Sequence, residues 1–418
     1  MKKFLFPLTI VFCLIIKSYC IETSEKADSL VDFMKKDTVS FSSGYLEGLY
    51  TNKQLANFSL EFLRASERLL DCIPTKRSFG LTVLKVVTLC YFNFRADTAL
   101  HETGHGLRAK SYGIDFMLKL DMDENHNGFH KDENYFNFFF NELFSSKRAA
   151  CAENPQQYMD LKNHFETLRK INDFYNFEII VSAGGINNNT YLAEKIAEDI
   201  YLKKSNIKII SYLTYELNLL YGALYDKRAK EPGDDPYDII ESFNLKGRED
   251  FKKGTIFNAG IKSLFLNATT YSFFYSIFTN KPMVKPYGFK LPDVFPYITT
   301  KGMSYKVVSG YEVNENLNLI FGFESVFGKE AASEINLGLN HQTYIDLFPI
   351  SYRGIITFGQ GLNLEASALT PISKYFNIGL GVELYSITSL MGQRHALTNM
   401  KEGNGYSTSL SAFIQYRY

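Results

Sequence analysis

The chain has no tryptophan, and cysteine accounts for only five of its 418 residues. Cys13 and Cys20 fall in the first twenty positions, leaving Cys72, Cys90 and Cys151. One pair at most can form among these, so the fold is not a disulfide scaffold. Neither sign of charge prevails: Lys+Arg and Asp+Glu both number 45, giving a formal net charge of zero. That balance removes the electrostatic argument for a nucleic-acid partner. Beyond the N-terminus no uninterrupted apolar run reaches the length of a membrane-spanning helix. There is also no phosphate-cradling glycine loop, no serine nucleophile elbow and no dinucleotide fingerprint.

What is abundant is aromatic side chain, with 36 Phe and 28 Tyr, in a chain that is 45% hydrophobic. Such an excess suits a large core or a lipid boundary, where tyrosine keeps its hydroxyl wet. The first twenty residues read as a cleavable export signal. Lys2 and Lys3 lead, an apolar run from Phe4 to Ile16 follows, and Lys17-Ser18-Tyr19-Cys20 returns to polar character. Tyr19 stands where a lipoprotein signal carries a small residue, which argues against lipidation.

The remainder has two textures. From about residue 50 to 280 apolar residues recur at helical spacing, as in Leu81, Leu84 and Val87 or Leu213, Leu217 and Leu220. From about residue 300 the period becomes two. Leu317, Leu319, Phe321 and Phe323 alternate with polar or small residues, as do Phe376, Ile378, Leu380, Val382 and Leu384. Turn sequences such as Asn314-Glu315-Asn316 separate these runs, which predicts an antiparallel meander. The final run places Leu410, Ala412, Ile414, Tyr416 and Tyr418 on one face, resembling the C-terminal strand of bacterial outer-membrane proteins. The expected fold is therefore α+β. A mainly helical domain over residues 21–280 would precede an antiparallel β-barrel-like membrane domain over residues 285–418, with six to eight strands visible in the pattern.

His101-Glu102-Thr103-Gly104-His105 fits H-E-x-x-H. Residues four apart lie on one face of a helix, so both imidazoles can reach a single ion. Glu102 between them is placed to take a proton from the attacking water and return it to the leaving amine. Catalytic zinc commonly has three protein ligands. Gly233-Asp234-Asp235-Pro236 reads on its own as an ordinary helix start, with Asp234 at the cap and Pro236 in the first turn. Glu194, on a helical segment with Glu198 one turn on, is a candidate third ligand.

The segment from His101 to Ile114 resembles the site-2 protease family, whose members carry HExGH followed by a basic residue and Gly-Ile or Gly-Val. Ser182-Ala183-Gly184-Gly185-Ile186-Asn187-Asn188 is similar to that family's Ala-Gly-Pro-x-x-Asn, with Gly185 in place of Pro. The resemblance implies zinc held by His101, His105 and Asp235, and a substrate-orienting or oxyanion role for Asn188. It covers about a third of the chain. Arg95 and Asp97 before the motif, and Glu194, Lys195, Glu198 and Asp199 later, depart from the nearly uncharged helices of that family. Intramembrane cleavage is therefore not carried over.

The expectation is a zinc-dependent peptidase of the bacterial cell envelope, exported to the outer membrane, acting on protein or peptide and contacting membrane lipid. The alternative is a non-enzymatic outer-membrane barrel, a channel or adhesin, with a structural or vestigial metal site.

Overall fold

The computed structural model describes residues 38–42, 52–71, 79–120, 135–144, 149–202, 209–279, 286–314, 316–345, 348–373, 375–395 and 405–417. The export signal expected over residues 1–20 lies outside them. A short strand β1 (Thr38–Ser42) precedes helices α1 (Asn52–Asp71) and α2 (Phe79–Ser111). Strand β2 (Phe116–Leu120), helix α3 (Tyr135–Phe144) and strand β3 (Ala149–Glu153) follow. Seven helices come next: α4 (Pro155–Thr167), α5 (Ile171–Ser182), α6 (Gly184–Leu202), α7 (Ile209–Arg228), α8 (Asp235–Leu245), α9 (Thr255–Leu266) and α10 (Ala268–Thr279). The C-terminal strands are β4 (Phe289–Thr299), β5 (Gly302–Asn314), β6 (Leu317–Val326), β7 (Ala332–Ile345), β8 (Phe348–Phe358), β9 (Asn363–Pro371), β10 (Phe376–Ser386) and β11 (Tyr406–Arg417). A short helix α11 (Leu390–Arg394) lies between the last two.

The α+β class holds, with the meander where period-two alternation placed it. Strand β1 adds a ninth strand, in the order β1-β11-β10-β9-β8-β7-β6-β5-β4, while β2 and β3 pair separately. Residues from the helical part thus contribute to the sheet, through β1 antiparallel to β11 with Thr38 opposite Arg417. Among the described residues the sheet is not closed into a barrel: β1 and β4 are its two edges.

The sheet packs its inner face against α6. Lys306 of β5 pairs with Glu194 of α6 at 2.6 Å, and Arg353 of β8 pairs with Glu198 at 2.9 Å. Strands β5 and β8 are three places apart, about 14 Å in a flat sheet. The long Lys and Arg side chains cover that separation, so the two ion pairs place α6 over the inner face of the sheet between these strands. The alternation is inverted relative to a soluble sandwich. Glu324, Glu334, Asn336, Thr357 and Glu365 are buried on the inner face, whereas Ile335, Leu337, Ile378 and Leu380 are exposed on the outer one. Among the described residues no helix is long and apolar enough to cross a membrane.

The main core joins α1, α2, α3, α6 and α7 to Phe295 and Tyr297 of β4. Helix α2 ends in a Schellman turn: Gly113 takes φ +80°, Ile114 N–H reaches Ala109 O at 3.1 Å, and Gly113 N–H reaches Lys110 O at 2.9 Å. That turn redirects the chain into β2.

Candidate metal centre

The site depends first on how closely α2 and α6 approach. A Cβ on Gly104 would lie 2.5 Å from the Gly184 carbonyl oxygen, and one on Gly184 would lie 2.5 Å from that of Gly104. The helices are in backbone contact there, which no larger residue permits. This brings the His-bearing face of α2 against the asparagines opening α6.

His101 and His105 are both buried, one turn apart, with ring centroids 4.9 Å from each other. Helix α8 brings Asp235 to them at its first turn. Its Oδ2 lies 2.9 Å from His101 Nε2 and 3.2 Å from His105 Nε2. Donor atoms of all three residues fall within 4.8 Å of one another. Neighbouring ligands of a tetrahedral zinc with bonds near 2.1 Å are roughly 3.4 Å apart, so the spacing suits such an ion.

The other ring nitrogens are engaged away from this point. His101 Nδ1 lies 3.0 Å from Asn189 Oδ1, and His105 Nδ1 lies 2.8 Å from the Val181 carbonyl oxygen. Both partners are acceptors, so each Nδ1 carries a hydrogen, and the Nε2 atoms, which both face Asp235 Oδ2, are the ones that would give up a proton to an ion. Asn189 is itself fixed: its Nδ2 donates to Asn218 Oδ1 at 2.8 Å, and Asn218 donates to Thr214 O at 2.9 Å. Replacing Asn189 by Leu is expected to weaken zinc affinity about 10- to 100-fold with secondary structure intact. Competition with a fluorescent zinc chelator measures this, and unchanged affinity would show that Asn189 does not orient His101.

Charge follows the same geometry. Burial pushes Asp235 up, but the two imidazoles outweigh it and hold the carboxyl well below the usual range. Burial lowers His105, and Asp235 more than offsets this, raising it to about 9. Glu102 is raised by burial against the pull of His101 and His105. Its Oε2 accepts the Cys151 N–H of β3 at 3.0 Å, which fixes the carboxylate beside the metal-binding face. The Tyr221 ring packs 4.7 Å from that of His101, and the Asp235 N–H meets Tyr225 Oη at 3.4 Å.

Glu194 is not part of this group. It accepts from Lys306 and from the Tyr297 hydroxyl, each at 2.6 Å, and so ties α6 to the sheet. The polar atoms of Asn188 are likewise engaged between α2 and α6: Nδ2 donates to Leu100 O and Oδ1 accepts from Arg108, both at 3.0 Å. The asparagine that reaches His101 is the next one. Asp234 stands at the N-cap of α8, but its carboxylate accepts the Lys230 and Glu231 N–H groups instead of capping the helix.

Asp97 lies one turn before His101, almost fully buried, and receives a hydrogen bond from Asn218. Burial pushes its pKa from 3.8 up to about 8, against the lowering effect of that bond. A folded-state pKa above the unfolded one means stability is full below about pH 4 and is lost as pH rises through about 8. Asp97→Asn should therefore gain stability relative to the parent between about pH 5 and pH 8.5, by about 4 kcal/mol. Urea midpoints at the two pH values test this, and a pH-independent difference would contradict it.

Comparison of the chain with protein-family models, curated proteins and solved structures returns no match.

Proposed function

We propose that the chain is a zinc-dependent peptidase held in a membrane by its β-sheet. The observation that carries the reading is the convergence of His101, His105 and Asp235 from two helices, with Glu102 beside them. Both imidazoles have their Nδ1 atoms engaged by acceptors, as expected of ligands prepared for an ion. The likeness of His101 to Ile114 to the site-2 protease motif supports the same reading.

His101, His105 and Asp235 would hold the zinc. When bound, it supplies Lewis acidity, making water nucleophilic at neutral pH and polarising the scissile carbonyl. Glu102 accepts the proton of the attacking water and delivers it to the leaving amine. Its elevated pKa suits that exchange, because a carboxylate of ordinary acidity returns a proton less readily. The Cys151 N–H keeps the carboxylate in place between the two transfers.

The outer face of the sheet supports membrane attachment. Leu410 is 82% exposed and Leu380 61%, on a face whose inner counterpart holds the charges. Eleven residues of β10, at about 3.3 Å each and tilted by about 45°, span roughly 25 Å, close to the hydrocarbon thickness crossed by membrane barrels.

The test is hydrolysis of an unfolded polypeptide by the full chain in detergent. Activity should disappear on zinc chelation and return with added zinc. Hydrolysis that persists after complete metal removal would refute the reading.

A further inference from the structure

The sheet has two chemically distinct rims, and the metal centre lies at one of them. At the first rim β1 begins and β11 ends, with Thr38 opposite Arg417. The links there are short: residues 315–316, 346–347 and 372–375. At the second rim the links are residues 300–301, 327–331, 359–362 and 387–405, the last long enough to contain α11.

Helix α6 runs from the second rim to the first. Asn187, near its start, exchanges hydrogen bonds with Ile298 at 2.8 and 2.9 Å, at the end of β4. Near its other end, Tyr201 lies against Gly310, where an added Cβ would be 2.9 Å from the ring. Asn189, which holds His101, is therefore at the second rim. The far end of helix α8, about 16 Å from Asp235 at its start, meets the same rim. Lys246 Nζ donates to Thr300 O at 2.8 Å, Arg248 donates to Lys301 O at 3.1 Å, and Arg248 pairs with Glu330 at 3.4 Å. Arg108, one turn beyond His105, donates to the Arg394 carbonyl oxygen of α11.

The outer face between the rims is ordered as a bilayer is. Strand register sets Phe321 beside Leu337 and Val382 beside Leu410, both pairs exposed. No Asp, Glu, Lys or Arg shares that face from β5 to β11, whereas Lys306, Glu324, Glu334, Arg353 and Glu365 all lie on the inner face. Aromatic residues stand near both rims, Tyr311, Phe376 and Tyr416 toward the first and Tyr305, Phe358 and Tyr406 toward the second, with Phe321 and Tyr352 between them. An uncharged band between two aromatic belts complements hydrocarbon between two interfaces. A protein partner offers no such layering. In membrane barrels of bacteria the short turns face the periplasm and the long loops face outward.

We infer that the metal centre opens on the membrane side opposite the rim where the strands begin and end. In an outer membrane that side is the cell exterior, so the substrate class is polypeptide presented outside the cell. This rests on the peptidase reading for its substrate and on the rim geometry for its direction.

The test uses the full chain, exported in a bacterial host with an outer membrane, with Cys72, Cys90 and Cys151 changed to serine. Single cysteines are introduced as Glu231→Cys beside the metal centre, Lys329→Cys at the second rim and Ile372→Cys at the first rim, all exposed positions. Intact cells are treated with a membrane-impermeant maleimide, then broken and treated again. Glu231→Cys and Lys329→Cys should label on intact cells, and Ile372→Cys only after breakage. The reverse pattern, or equal labelling of all three before breakage, would overturn the inference. Zinc content of the purified parent reports on the peptidase reading independently of the labelling.

Discussion

Glu102→Gln should lower hydrolysis roughly 10²- to 10⁴-fold while leaving zinc content unchanged. The glutamine keeps the size and the acceptor that Cys151 N–H uses, but it cannot take a proton from water. None of the three candidate ligands changes, and the carboxylate removed is not one of them. Loss of rate with full metal content therefore isolates the proton transfer. A non-catalytic metal site predicts the opposite pattern, since a structural ion has no use for a general base. Initial rates on an unfolded polypeptide, paired with metal analysis of the same sample, provide the comparison. Activity within a few-fold of the parent would exclude Glu102 from the chemistry.

Gly185→Ala should cost at least about ten- to a hundredfold in zinc affinity. The added Cβ would fall 2.5 Å from His101 Nδ1 and Cε1, far inside van der Waals contact. The imidazole must tilt, and in tilting it leaves Asn189 and misdirects Nε2. The control is Gly113→Ala. Gly113 has φ +80° with nothing within 4 Å of an added Cβ, so this change strains the backbone by about 1 kcal/mol and leaves the ligands alone. Zinc competition on both variants, alongside thermal midpoints, separates the effects. Equal zinc affinity in Gly185→Ala and the parent would contradict the description of this contact.

How far the sequence reveals the site depends on how local each signal is. His101, Glu102 and His105 are legible because a spacing of four on one helix already states their geometry. Asp235 is reached only through the family likeness, since the Gly233-Asp234-Asp235-Pro236 pattern taken alone is an ordinary helix start. Glu194 looks equally suitable as a ligand in isolation. Its pairing with Lys306, 112 residues away, appears only once the sheet packs against α6. The choice between Asn188 and Asn189 turns on a helical step of about 100°. In a run of three asparagines nothing local says which one faces α2's histidines. The Ala-Gly-Pro-x-x-Asn likeness points to Asn188 for substrate or the oxyanion, a different role from the bond that Asn189 makes to His101.

The sheet shows the same division. Alternation locates the meander and identifies its apolar face, but it does not tell which face packs inward. Ion pairs from Lys306 and Arg353 to α6 determine that, and they turn the polar face toward the protein. Strand β1 is invisible to local pattern, since five residues ahead of a helical region gain their order only from β11. Closure into a barrel is likewise a long-range property, and β4 and β1 remain edges among the described residues.

The central claim is that His101, His105 and Asp235 form one zinc site. Metal analysis of the purified full chain, beside Asp235→Ala and His105→Ala, tests it most directly. The account predicts one zinc per parent chain and a large loss in each variant with the helical content preserved. A metal-free parent, or variants that retain full zinc, would contradict it.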